Sequence, residues 1–221
     1  MIVLKQVLCF GDSNTFGYVP HGEVRDASTR LSEIIQYPRE IRWTGQLVDR
    51  IKPLGYEVIE EGLCGRTTIF DDPWCKGRNG MELLPSVLKR HPQVDLMIIM
   101  LGTNDCKTVY NASPEKIGEG LEQLVHFTKS FDPQIKILLI SPILIGEEIY
   151  KEEFDPDFGR KSVETSKKLK PVFEKVAIKN GCLFMAASDF ATPSPVDLEH
   201  LSPEGHQNLS EAIYNKLVSE L

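Results

Sequence analysis

Ser13 lies in the run FGDSNTFGY, and His200 lies in DLEHLSPEGH with Asp197 just before it. A serine hydroxyl becomes a useful nucleophile only beside a base. An imidazole serves as that base when a carboxylate fixes its tautomer. Ser13, His200 and Asp197 supply those groups. The tetrahedral oxyanion that follows attack needs preorganised N–H donors. The backbone N–H of Ser13 at a strand-to-helix turn, the backbone N–H of Gly65 in EEGLCGRTT and the side-chain amide of Asn104 in MLGTNDCK are candidates. The chemistry these residues describe is acyl transfer through an acyl-Ser13 intermediate, which needs no cofactor. Thr15 stands where a G-x-S-x-G elbow requires Gly, so the nucleophile belongs to a different serine architecture.

Each of these residues also has an ordinary structural use. Asn104 and Asp105 can cap the segment that follows a strand, and for Asp105 capping is the preferred role. Gly65 suits a turn with positive φ whatever its chemistry. Asp12 can bond loop amides, and Asp12, Asn14, Trp43 and Arg66 are the candidates for substrate contact, with Tyr18 beside them. His200 and His206 do not have the spacing of a zinc site, so no metal is expected, and His206 is assigned to packing near a helix start. Cys9 and Cys64 read as inert thiols. Two competing functions remain open on the residues alone. One is a metal-dependent phosphoesterase using Asp12, Asn104, Asp105 and histidines, although a two-metal site calls for more ligands at the strand ends. The other is a non-catalytic flavin- or phosphate-binding module that cradles an anion at Ser13, Asn14 and Thr15.

Such groups must be carried by elements that bring distant stretches together. Short apolar runs at residues 2–10, 57–63, 95–101, 135–140 and 181–187 read as strands, and helix-like stretches at 41–52, 81–91, 114–130, 160–179 and 203–221 alternate with them. LMIIML and KILLI are apolar on both faces, as in parallel strands covered on either side. Ser113-Pro114 and Ser202-Pro203 are helix-start signals. The expected fold is a single α/β domain over residues 1–221: a three-layer α/β/α, flavodoxin-like arrangement with a five-stranded parallel sheet of order 2-1-3-4-5. Ligands of such sheets bind at the carboxyl ends of the strands, where Ser13, Gly65 and Asn104 fall. Residues 20–40 and 141–159 read as long irregular connections. The second carries PILIGEEIYKEEF, whose Ile and Tyr residues suggest a lid or an oligomer contact.

Composition narrows the partners. The chain has 221 residues, 41% hydrophobic and 26% charged, enough for a sizeable core. Its net charge of −7 repels phosphate backbones and anionic lipid surfaces, so neither nucleic acid nor membrane is an expected partner. Five cysteines with no C-x-x-C pair argue against a disulfide framework, and together with the lack of a visible export signal they point to the cytoplasm.

Taken in order, FGDSNTFGY, EEGLCGRTT, MLGTNDCK and the D-x-x-H of Asp197 and His200 resemble the blocks of the SGNH hydrolases, a branch of the GDSL esterases and lipases. The resemblance runs from residue 10 to residue 200. WTGQL at 43–47, VIEEGLCGRTT, the Asp71-Asp72-Pro73 run and IIMLGTND are similar to the arylesterase and acyltransferase subgroup. That resemblance implies hydrolysis of short-chain acyl esters of aryl or carbohydrate alcohols, with acyl transfer and assembly into a homo-oligomer as further properties of the subgroup. The chain departs from the subgroup at Asn14 and Phe16, where its members often carry an apolar residue and a Trp.

Overall fold

The computed structural model describes residues 4–25 and 32–220, with side chains described for 4–20 and 34–220. In chain order the elements are β1 (Lys5–Gly11), α1 (Ser13–Phe16), β2 (Tyr18–Arg25), β3 (Ser32–Gln36), α2 (Trp43–Ile51), β4 (Tyr56–Gly62), α3 (Gly80–Arg90), β5 (Val94–Met100), α4 (Pro114–Phe131), β6 (Lys136–Ser141), α5 (Arg160–Asn180), β7 (Leu183–Ala186) and α6 (Pro203–Glu220). Short 3₁₀ turns at 52–54, 104–106, 108–110 and 187–189 follow α2, β5 and β7.

Consecutive residues of the central strands are apolar, so each strand has two faces to bury. Leu8, Phe10, Met97, Ile99, Ile137 and Leu139 point into one cluster, completed by α3, α4 and α5. Val7, Cys9, Leu96, Ile98, Met100, Leu138 and Ile140 point into the other, completed by α2 and α6. The result is a three-layer α/β/α arrangement. The sheet runs β4-β1-β5-β6-β7 with every pairing parallel, which is the expected 2-1-3-4-5 when its strands alone are counted. Both expected helix starts are present in chemical detail. Ser113 Oγ accepts from Lys116 N at 3.2 Å, and Ser202 Oγ accepts from Gly205 N at 3.1 Å.

Strand order reverses at β1, the topological switch point, and register sets what lies there. Gly11 pairs with Gly62 on one side and with Met100 on the other, so β4, β1 and β5 finish level and their following turns begin side by side. Gly62 is required for this, since a Cβ there would sit 2.2 Å from the Phe16 backbone nitrogen. The α1 turn therefore lies directly against the end of β4.

Two connections differ from expectation. Within residues 20–40 the described stretches include regular structure, because β2 and β3 pair antiparallel over Tyr18–Arg25 and Ser32–Gln36 with a register shift between Tyr18 and Glu23. Residues 141–159 have little regular structure, yet they are not an apolar flap on the surface. Ile143, Ile145 and Ile149 are buried, and the Arg160 guanidinium covers the Tyr150 ring at 3.6 Å. Thr108 N bonds the Asp157 carbonyl at 2.8 Å and Gly146 N bonds the Leu198 carbonyl at 2.7 Å. The segment buttresses the histidine loop.

Candidate active site

The turn from β1 into α1 presents Ser13. Asp12 caps α1, its Oδ1 accepting from Asn14 N at 2.9 Å, and Gly17 closes the short helix in the left-handed region. The His200 loop approaches from the far end of the chain. Its backbone is tied internally by Leu198 N to Ser194 O at 2.9 Å and Ser194 N to His200 O at 2.7 Å. Leu198 adopts φ 65°, a left-handed conformation that a Leu takes only when its surroundings impose it. Asp197 turns back on the following residues, its Oδ1 accepting from Glu199 N at 3.2 Å and His200 N at 3.1 Å.

These constraints deliver a linear chain of hydrogen bonds. Asp197 Oδ2 lies 2.8 Å from His200 Nδ1, and His200 Nε2 lies 2.8 Å from Ser13 Oγ. With the Nδ1 proton held by Asp197, Nε2 is left as an acceptor for the serine hydroxyl. Burial pulls the imidazole pKa down. The charge of Glu199 and the hydrogen bond that the ring donates to Asp197 together outweigh that effect and hold it above its ordinary value. Burial pushes Asp197 up, but the His200 hydrogen bond and charge bring its carboxyl below the usual range, so it stays ionised. The Tyr18 ring packs on the imidazole with centroids 4.4 Å apart.

The turns after β4 and β5 are bonded to each other. Gly65 has φ 77°, which a side chain would resist, and Arg66 N bonds Leu63 O at 3.0 Å to close the turn. Asn104 is buried. Its Nδ2 donates to the Arg66 carbonyl at 3.2 Å, leaving the second amide hydrogen for another acceptor. Asp105 does more than cap: its carboxylate accepts from Thr68 N at 3.0 Å and from the Thr68 hydroxyl, stapling the β5 turn to the β4 turn. Burial raises Asp105 to about 7, against the lowering effect of those Thr68 bonds.

The four residues expected at the substrate have other partners. Trp43 is fully buried, with its indole N–H donating to the Asn14 carbonyl at 3.0 Å, and it lies beneath the nucleophile turn. The Arg66 guanidinium is buried over the Phe10 ring, donating to the Gly11 carbonyl at 2.8 Å and to the Glu61 carbonyl. Asn14 reaches across to the histidine loop, Nδ2 to Glu199 O at 3.2 Å and Oδ1 from Leu201 N at 2.8 Å. Asp12 is buried against its own turn and raised by burial to about 6. Most of the polar atoms of these side chains bond backbone groups of neighbouring turns, while Asp12 Oδ2 and Arg66 Nε find no hydrogen-bond partner among the described residues. Nothing in the sequence pattern marked Asn14 as a clamp, although its departure from the resembling subgroup singled out the position.

The competing readings fare poorly against this geometry. Asp12, named for a metal site, caps α1, and Asp105 ties the turn after β5 to Thr68 in the turn after β4. Ser13 Oγ, named for an anion cradle, is engaged by His200. His206 packs as expected, with its Nδ1 accepting from Trp43 N at 3.3 Å, and burial lowers it to about 3.

A hydrogen-bonded Ser–His–Asp chain at the carboxyl edge of a doubly wound parallel sheet defines the class of the serine hydrolases. Comparison with known proteins agrees. The model of the GDSL-like lipase/acylhydrolase family matches residues 9–208. A carbohydrate acetylesterase from Sinorhizobium meliloti is 35% identical over 98% of this chain and 100% of its own, with a TM-score of 0.88. The aryl esterase of M. smegmatis in its inhibitor-bound form is 31% identical over 98% and 100%, also with a TM-score of 0.88. A lipase/acylhydrolase from Enterococcus faecalis, at 19% identity and a TM-score of 0.67, shares the fold. No curated protein matches the chain. The chain belongs to the GDSL-like lipase/acylhydrolase family and is a serine esterase, a carboxylic ester hydrolase. Among the described residues, no helix is long and apolar enough to cross a membrane.

Proposed function

We propose that residues 1–221 act as one catalytic domain that hydrolyses short-chain acyl esters, of acetyl type, on aryl or carbohydrate alcohols. The observation that carries this reading is the unbroken chain Asp197 Oδ2–His200 Nδ1 and His200 Nε2–Ser13 Oγ, both 2.8 Å. The names of the Sinorhizobium meliloti and M. smegmatis relatives support the substrate class.

In acylation, Ser13 Oγ attacks the ester carbonyl carbon while His200 Nε2 takes the hydroxyl proton. Negative charge gathers on the former carbonyl oxygen, which accepts hydrogen bonds from Ser13 N–H, Gly65 N–H and Asn104 Nδ2–H. The resulting imidazolium is stabilised by Asp197, and its Nε2 proton passes to the leaving alcohol oxygen as the C–O bond breaks. Water, deprotonated by the same imidazole, then attacks the acyl carbon; the bond to Ser13 Oγ breaks, the Nε2 proton returns to Oγ, and the acid leaves. An alcohol in place of water gives acyl transfer by the same steps. Every charge in this sequence meets a group of the chain, so no cofactor or metal is required. Asp12, Asn14, Trp43 and Arg66 act as positioning residues for the two turns. Five free cysteines fit a reducing cytoplasm, and a homo-oligomer accords with the resemblance to the arylesterase subgroup.

The test is initial-rate hydrolysis of p-nitrophenyl esters from acetate to long chains, with wild type and Ser13→Ala in parallel and with EDTA added. Activity concentrated on short esters, abolished in Ser13→Ala and unchanged by EDTA is the expected result. Ester turnover that survives Ser13→Ala would overturn the assignment.

A further inference from the structure

The reaction above makes no use of the Glu199 carboxylate. Its Oε1 lies 3.4 Å from His200 Nδ1, the same atom that faces Asp197 Oδ2 at 2.8 Å. The two carboxylate side chains are 12% and 11% exposed, so the ring N–H is bracketed by two acids where water screens little. The backbone of Glu199 is fixed at both ends of the residue, its N–H donating to Asp197 Oδ1 at 3.2 Å and its carbonyl accepting from Asn14 Nδ2 at 3.2 Å. The Asp-to-His spacing asks nothing of the position Glu199 fills. A buried carboxylate aimed at the base is therefore a property of this chain beyond the motif.

We propose that Glu199 is a second positioning carboxylate for His200, sharing the Nδ1–H with Asp197 and stabilising the imidazolium that forms when Ser13 gives up its proton. The inference rests on the serine–histidine reading above and deepens it. Two consequences follow. When Asp197 is changed to Asn, Glu199 still faces the ring, so the loss is smaller than the roughly 10⁴-fold that follows when the only orienting acid is neutralised. The second consequence concerns pH. Besides Glu199 and Asp197 on its own loop, His200 is faced by Asp12 from the turn after β1, by the Tyr18 ring from β2 and by His206 from α6. Glu199 in turn is faced by Asp155 from the 141–159 segment and by Lys107 from the turn after β5, the latter paired with Asp157 at 2.7 Å. Burial lifts Glu199 to about 7, while the charge of His200 pulls it down, so the two groups titrate as a coupled pair. Glu199 is one of the charges holding the imidazole up. Removing it lowers the His200 pKa and moves the acid limb of the rate profile to lower pH.

The test compares wild type, Glu199→Gln, Asp197→Asn and the double variant for the pH dependence of kcat/KM. In parallel, the His200 ring is titrated by NMR in the Ser13→Ala background, with and without Glu199→Gln. Expected are a fall of about half to one pH unit in both the acid limb and the His200 midpoint on Glu199→Gln, one unit being tenfold in the proton equilibrium. The double variant should turn over at least about tenfold more slowly than Asp197→Asn alone. An intermediate limb in Glu199→Asp, which keeps the charge on a shorter stem, would separate charge from packing. Glu199→Met, which keeps the stem and drops the charge, is read the same way if the Gln variant does not fold. A His200 midpoint that ignores Glu199, or a double variant no slower than Asp197→Asn, overturns the inference. Ester turnover in Ser13→Ala would instead overturn the serine reading, while the NMR titration would still report on the Glu199–His200 contact.

Discussion

Asn14→Ala cuts the two bonds by which the nucleophile turn holds the histidine loop: Nδ2 to the Glu199 carbonyl at 3.2 Å and Leu201 N to Oδ1 at 2.8 Å. Leu201 is fully buried, so water cannot replace the lost acceptor, and an orphaned buried N–H costs about 1–3 kcal/mol. The Glu199 carbonyl forfeits a bond with a net value of about 0.5–1.5 kcal/mol, which brings the destabilisation to roughly 2–4 kcal/mol. Chains of this size lose about 2–4 °C of Tm per kcal/mol, so melting should fall by about 4–16 °C. Catalysis should suffer separately. His200 lies between the two tied residues and its Nε2 must stay 2.8 Å from Ser13 Oγ, while a misplacement of about 1 Å can cost about 10²-fold. The expected signature is a kcat lowered by about 10- to 10²-fold with KM changed less than about twofold, because the lost bonds orient the base rather than the substrate. Thermal unfolding by circular dichroism and initial rates on p-nitrophenyl acetate measure both. A Tm within about 2 °C of wild type together with unchanged kcat would show that the loop holds itself. A raised KM with unchanged kcat would return Asn14 to the substrate.

Asn104→Ala should lower kcat by about 10²- to 10³-fold and, through the lost bond to the buried Arg66 carbonyl, lower stability by about 0.5–1.5 kcal/mol; an unchanged kcat would remove Asn104 from the oxyanion site. Trp43→Phe orphans the Asn14 carbonyl and leaves a void under α1, so denaturant unfolding should report a loss of about 2–3 kcal/mol with KM unaltered; a KM effect at unchanged stability would restore Trp43 to the pocket. His200 is held above the ordinary imidazole value of about 6.5, and only its neutral form accepts the Ser13 proton. kcat/KM should therefore fall as pH drops through a midpoint above about 6.5, and a midpoint below about 6 would contradict the environment described. Asp105 is raised from 3.8 to about 7, so the folded state binds its proton more tightly than the unfolded chain. Its contribution to stability is complete below about 4 and is lost as pH rises toward 7. Urea midpoints across that range should therefore decline less steeply in Asp105→Asn than in wild type.

The residues proposed to do chemistry were readable because the reaction restricts their types: a hydroxyl, an imidazole, a carboxylate and amide donors, with Ser13, Gly65 and Asn104 soon after apolar strands and Asp197 and His200 just before α6. Strand order was readable from the alternation of β and α segments, since parallel strands need helical crossovers. Direction was not. Trp43, Arg66 and Asn14 stand close in the chain to the functional blocks, and that proximity suggested the substrate. Their side chains turn inward to backbone carbonyls and, for Asn14, a backbone N–H as well, a choice made by partners as much as 187 residues away. The β2–β3 pair escaped notice because its pairing breaks between Tyr18 and Glu23, which blurs the alternation a strand would show. The 141–159 segment hid its role for a related reason. Ile143, Ile145 and Ile149 follow no regular period, and only the tertiary contacts reveal that they face inward.

In three of the four blocks, the residue that follows the functional one in sequence does the tying. Arg66 follows Gly65 and anchors to the Gly11 carbonyl, just before the nucleophile turn. Asp105 follows Asn104 and holds Thr68, while the Asn104 amide itself leans on the Arg66 carbonyl. Asn14 follows Ser13 and grips the backbone on either side of His200. The functional groups therefore need little reorganisation when charge develops, since each turn is held by a bond from another turn rather than by its own strand alone. This arrangement predicts non-additivity. Asn14→Ala and Asp105→Asn act on different ties of one connected set, so their combined effect on kcat should exceed or fall short of the product of the single effects by more than about twofold. Their effects on stability, arising from separate buried contacts, should add within about 0.5 kcal/mol. Multiplicative kcat effects in that double-mutant cycle would mean that the two turns are positioned independently.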